Sequence, residues 1–175
     1  MQVSSSMLKQ HLIDKKKEIL ADWRNIIFNS YPPDSVQFLK NEHDQFNNPI
    51  GSCIMEVTED IYDGLIENVK IDQLFAALDR IIRIRSVQDY TPSQAIAFMN
   101  ALKLAIRHKC EDIDRDENFR DFLDFEARID RLTFLAFDIY MQCREKIYEI
   151  RVNDMKRQSA ILFQRSQNID KNNES

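Results

Sequence analysis

The sequence predicts an all-α fold: a helical bundle closed by a long C-terminal helix. Only 2 Gly and 4 Pro occur in 175 residues. Such scarcity of breakers favours a few long helices over strands and turns. From about Asn118 to Arg157 the chain holds no Pro or Gly, and apolar residues return there at helical spacing. An apolar fraction of 43% with 30% charged residues describes a globular chain, long enough to bury one real core.

The elements follow in order. Ser4 to Ser6 offer a cap for a first helix through about Asn29. Its apolar positions are Leu8, Leu12, Ile19, Leu20, Trp23, Ile26 and Ile27, with Lys15, Lys16 and Lys17 on the wet side. Tyr31-Pro32-Pro33 ends it, because a residue before proline avoids the helical region. Asp34 with Gln37 caps a short helix through Leu39. Asn48-Pro49 reads as a cap with proline at the first helical position. The helix that follows runs to about Glu67, and Gly64 inside it points to close approach by another helix. Asp72 caps a helix bearing Leu74, Phe75, Leu78, Ile81 and Ile82, closed by Arg80, Arg83 and Arg85. Thr91-Pro92-Ser93-Gln94 is a capping box, and its helix reaches Lys109. An acid-rich stretch then leads into the long final helix. Residues 1–157 are read as one helical domain. Residues 158–175 are read as a polar, partly disordered tail that keeps Ile161, Leu162 and Phe163.

Charge and composition narrow the function. A net charge of −5 makes nucleic acid a poor partner, since that affinity depends on neutralising phosphates. No run of apolar residues is long enough to insert into a bilayer, and the N-terminus has no signal-type apolar core. Cys53, Cys110 and Cys143 are too few and too far apart for a disulfide framework or paired zinc ligands. A cytoplasmic location is expected.

The candidate sites each have a plainer alternative. His108 follows Ala97, Ala101 and Leu104 at spacings of 4, 3 and 4, which places it as a candidate haem or metal ligand. A histidine beside the negative end of its helix explains it as well. His11 and His43 stand alone. Asp112, Asp114 and Asp116 resemble the start of a calcium loop, yet Glu117 and Leu123 stand where glycine and glutamate are needed. No metal site is expected. Arg80, Arg83 and Arg85 are candidates for anion binding, or for pairing with acids of the final helix. Asp130, Asp138, Arg144 and Glu145 have no nearby nucleophile or glycine-rich cradle, so the chain is not read as an enzyme. Trp23 reads as core, and interface is its alternative. On the final helix, Leu132, Ala136, Ile139, Cys143, Ile147 and Ile150 recur at intervals of 4, 3, 4, 4 and 3. That stripe is close to a heptad seam, and Ile139, Cys143, Ile147 and Ile150 are the candidate dimer positions.

Several segments carry a family resemblance. They are the Tyr31-Pro32 and Asn48-Pro49 pairs, RIRSVQD at Arg83 to Asp89, Ser93 to Ala95, and CRE at Cys143 to Glu145. With the sequence around them, they resemble the RsbRD N-terminal domain family, the input domain of RsbR-type co-antagonist proteins, over roughly residues 8–157. The resemblance implies a globin-like or bundle domain without bound haem. It also implies dimerisation, a signalling role for the last helix, and an output through a STAS-type partner. The sequence ends at Ser175, before any STAS domain. Either a stand-alone member or one domain of a longer protein is expected. The resulting expectation is a cytoplasmic homodimeric sensory module without cofactor, taking part in signal transduction and stress response. The alternative is a haem- or small-molecule-binding sensor.

Overall fold

The computed structural model describes residues 7–41, 46–88, 90–110 and 115–173, with side chains for all of these except 41, 115–118 and 165–173. Seven α-helices are described, and no strand occurs among the described residues. The Ser4–Ser6 cap, His43, and the side chains of Asp112, Asp114 and Asp116 lie outside them, as does the end of the chain at Ser175.

The first expected helix is divided into α1 (Met7–Asp14) and α2 (Lys16–Phe28). Lys15 stands between them with φ −91° and ψ 3°. The cause lies far along the chain. Tyr62 donates its hydroxyl to the Leu12 carbonyl at 2.9 Å, an insertion into the helix ladder of the kind that bends helices. Both Leu8 and Leu12 are buried, as is Trp23, while Ile26 is exposed. Pro33–Asn41 forms α3 and Pro49–Ile66 forms α4. Asn48 caps α4 as its sequence implies, accepting from the Gly51 amide at 2.9 Å and donating to the Leu39 carbonyl at 3.0 Å.

The C-terminus of α4 closes on a left-handed residue. Asn68 has φ 59°, a conformation that asparagine tolerates better than most. The amides of Asn68 and Val69 return to the carbonyls of Leu65 and Gly64 at 3.3 and 3.0 Å, a Schellman closure. The close neighbours of Gly64 are Leu74 and Val69, from the connection after α4, rather than the helix that was expected. Asp72 does not cap a helix. It lies in a 3-10 turn, Ile71–Leu74, where Gln73 accepts from the Lys70 amide. Helix α5 (Phe75–Ser86) follows. Next comes α6 (Pro92–Lys109), with the predicted capping box of Thr91 and Gln94.

The chain divides into two compact units, Met1–Tyr140 and Met141–Ser175. The division falls within α7 (Arg115–Asn173). The sequence reading placed its boundary after Arg157 and expected a polar tail, and backbone helix extends to Asn173. In the first unit, α2 packs on α6 and α4 on α5, while α2 and α4 touch. The α7 residues Phe125, Ile129, Leu132, Ala136, Ile139 and Tyr140 are buried in that unit. Arg128 fixes the register of α7 there, donating to the Leu65 and Val69 carbonyls at 2.6 and 2.9 Å. A cation at the negative end of α4 also suits its dipole.

Gly51 is held tightly. A β-carbon there would collide with the Asn48 side chain and stand 2.6 Å from the Leu39 carbonyl oxygen. Gly51→Ala is therefore expected to cost about 1–3 kcal/mol. Urea unfolding with an unchanged slope would show this as a lowered midpoint.

Candidate functional site

The apolar stripe of α5 carries one guanidinium into the core. Leu78, Ile81 and Ile82 are buried, and Arg85, in phase with them, is only 1% exposed. Burying a charge is costly unless it is paired and hydrogen-bonded. Among the described residues no carboxylate answers it. Its Nη2 donates to Ser30 Oγ at 3.1 Å, while Nε and Nη1 have no hydrogen-bond partner and no contact with solvent.

Aromatic faces supply most of the compensation. The guanidinium carbon lies 4.6 Å from the Tyr90 ring centre, 5.6 Å from Phe98 and 5.7 Å from Tyr31. Each ring presents electron density to a cation. The backbone places them by local rules. Pro32 and Pro33 stop the chain after α2 and hold Tyr31 in a turn, where its amide bonds the Phe28 carbonyl at 3.0 Å. Tyr90 lies just before the Thr91 cap. It donates to the Ser30 carbonyl at 3.0 Å and accepts at its own carbonyl from Tyr140 of α7, also at 3.0 Å. Phe98 is stacked on Trp23, with centres 6.4 Å apart, and the Trp23 indole donates to the Phe98 carbonyl at 2.6 Å.

Beside this cluster opens a cleft of about 910 Å³. Ser30, Tyr31, Gln88 and Tyr90 form its Arg85 side, and Phe38, Leu39, Pro49 and Ile50 give it an apolar wall. Asp34 and Ser35 also line it. The Tyr31 hydroxyl and Gln88 Oε1 are buried without hydrogen-bond partners. Burial pushes the Tyr31 pKa up, against the opposing pull of Arg85 and of the nearby Gln88 amide, which is not in hydrogen-bonding geometry. A cleft of this size, mostly apolar with a few converging polar groups, has the form of a small-molecule site. The Tyr31 hydroxyl is an unused donor in its wall, with Arg85 behind, and among the described residues no nucleophile and base are paired in it.

The three arginines read together from the sequence go to three places. Arg80 pairs with Glu56 of α4 at 2.5 Å, and Arg83 with Asp79 one turn back at 2.6 Å. Both pairs are exposed and contribute little. The acids of the final helix instead meet α6, as Glu126 with Arg107 at 2.5 Å and Asp130 with Lys103 at 2.6 Å. His108 does not face the core. Its side chain is 68% exposed and its Nδ1 stands 3.8 Å from Asp22. The buried face of α6 is Ala95, Phe98, Met99, Ala101, Leu102, Ala105 and Ile106, so of the three positions counted back from His108 Ala101 is buried and Ala97 and Leu104 are exposed. His11 Nε2 donates to the Lys109 carbonyl at 2.8 Å. Among the described residues no group of three His, Cys, Asp or Glu side chains is disposed to hold a metal. Ile139 is 2% exposed, within the first unit. In the second unit Cys143 and Ile147 are half-buried and Ile150 is exposed. Ser30, Tyr31, Gln88 and Tyr90 were not singled out as site residues from the sequence, although the Tyr31-Pro32 turn and the phase of Arg85 were both visible there.

Comparison with known proteins gives two matches. The family model described as RsbT co-antagonist protein rsbRD N-terminal domain matches residues 17–154. A protein of Archaeoglobus fulgidus, described as uncharacterized, is 32% identical over 110 residues, which is 59% of this chain and 67% of that protein. No solved structure matches.

The Arg85 environment makes a contrast between two substitutions. Arg85→Met removes an under-bonded buried charge and keeps an unbranched side chain among the rings. Arg85→Lys keeps the charge but loses the planar stacking group. Thermal unfolding is expected to show Arg85→Met within about 1 kcal/mol of the parent or above it, and Arg85→Lys lower by about 1–3 kcal/mol.

Proposed function

Because the chain belongs to the RsbT co-antagonist rsbRD N-terminal domain family, we propose that it is a non-catalytic sensory or regulatory input module working as a homodimer. The observation that carries the dimer is the composition of its second unit. That unit is described only as helix. Yet Tyr148, Ile150, Val152, Met155, Ile161 and Leu162 are all exposed on it. An isolated helix in water gains nothing from such a set, and helices gain most of their stability by burying an apolar face.

The spacing selects the seam. Continued at heptad intervals, the stripe of Cys143, Ile147 and Ile150 meets Asp154 and Arg157. Tyr148, Val152, Met155 and Leu162 form a second stripe at intervals of 4, 3 and 7, with Ser159 in the remaining slot. The second stripe keeps its apolar character longer and suits pairing with a second copy. Ile139 takes no part, because its own unit already buries it. The module would pass its signal through the placement of the paired helices to a downstream protein of STAS type, in the cytoplasm. No helix among the described residues is long and apolar enough to cross a membrane.

Light scattering at tens of micromolar is expected to give twice the 20.8 kDa of one chain. Substituting Val152→Asp together with Met155→Asp should return it to a single chain while circular dichroism of the first unit's helices persists. A single-chain mass for the parent protein would contradict the dimer.

A further inference from the structure

A surplus of unused donors lies in and behind the wall of the cleft. Among the described residues, Arg85 Nε and Nη1 and the Tyr31 hydroxyl are buried without partners, against one such buried acceptor, Gln88 Oε1. Arg85 is 99% buried by its 1% exposure, and Tyr31, 8% exposed, itself lines the cleft. A buried guanidinium is best satisfied by a planar, two-oxygen acceptor, because its fork matches that geometry. The missing partner therefore has the chemistry of a carboxylate. The other wall is apolar, formed by Phe38, Leu39, Pro49 and Ile50, so the partner also has a hydrocarbon body.

We propose that this cleft binds an amphiphilic monocarboxylate, head inward, with Arg85 and Tyr31 donating to the carboxylate and the apolar wall covering its chain. Arg85 lies behind the lining, so Tyr31 turns aside slightly as the head enters. Asp34 lines the cleft as well, and its carboxylate disfavours a second negative charge on the ligand. A single acid is thereby preferred over a diacid. This inference supplies a ligand for the regulatory reading and rests on that reading only for its biological consequence. Binding is measured apart from oligomer mass, so either can fail alone.

The test is calorimetric titration of the full chain with octanoate, 1-octanol, octylammonium and octanedioate. Octanoate is expected to bind saturably and at least tenfold more tightly than each of the other three. Arg85→Met should weaken octanoate at least tenfold and leave octanol unchanged. Should Arg85→Met fail to fold, Tyr31→Phe serves, with an expected loss of severalfold for octanoate alone. The proposal is overturned if octanoate does not bind at millimolar concentration or if octanol matches it. Unchanged octanoate affinity in the folded variant would overturn it equally.

Discussion

One buried guanidinium organises an end of this bundle. Arg85 enters the core on the apolar stripe of α5 and finds aromatic faces where a carboxylate would be expected. The rings that surround it belong to three segments. Tyr31 comes from the turn after α2, Tyr90 from the link before α6, and Phe98 from α6 itself. Phe98 also stacks on Trp23 of α2. The arrangement therefore runs from the centre of the core to the cleft. Aromatic contacts of this kind stabilise a desolvated cation by a few kcal/mol at most, roughly 2 kcal/mol for each strong one. That is less than its burial costs, so the site stores an unmet demand for an acceptor. Natural proteins keep such local inconsistencies chiefly where function requires them.

Local rules were legible in the sequence, and long-range ones were not. Thr91-Pro92-Gln94 and Asn48-Pro49 specify their helix starts through chemistry contained within four residues, and both are found where the sequence puts them. The break at Lys15 depends on the Tyr62 hydroxyl, 50 residues away, and nothing near Lys15 announces it. The 3-10 turn at Ile71–Leu74 was mistaken for a helix start because Asp72 resembles a cap; the capping chemistry belongs to Lys70 and Gln73. His108 lies exposed near the C-terminal end of α6, where the plainer reading of a helix-end histidine also puts it. Of the positions counted back from it, Ala101 is buried while Leu104 and Ala97 lie on the outer face, and counting from Phe98 follows the inner one. Arg85 shows the converse. Its phase with Leu78, Ile81 and Ile82 was readable, but reading it with Arg80 and Arg83 as a basic cluster hid its burial.

Family membership and physical chemistry address different parts of the chain. The family match ends at residue 154, and beyond it the exposed Met155 and Leu162 continue the spacing of Tyr148 and Val152. In the first unit, α7 has clear duties: Arg128 closes α4, Tyr140 holds the Tyr90 turn, and Ile129, Leu132, Ala136 and Ile139 fill the core. In the second unit the same helix leaves Tyr148, Ile150, Val152, Met155, Ile161 and Leu162 exposed. The proposed helix–helix pairing would use that pattern.

Hydrogen exchange across residues 145–164, followed at high and low protein concentration, tests this most directly. Pairing makes backbone protection there depend on concentration, because opening follows dissociation. The account predicts slow exchange at tens of micromolar that becomes fast on dilution. Fast exchange at both concentrations would contradict it.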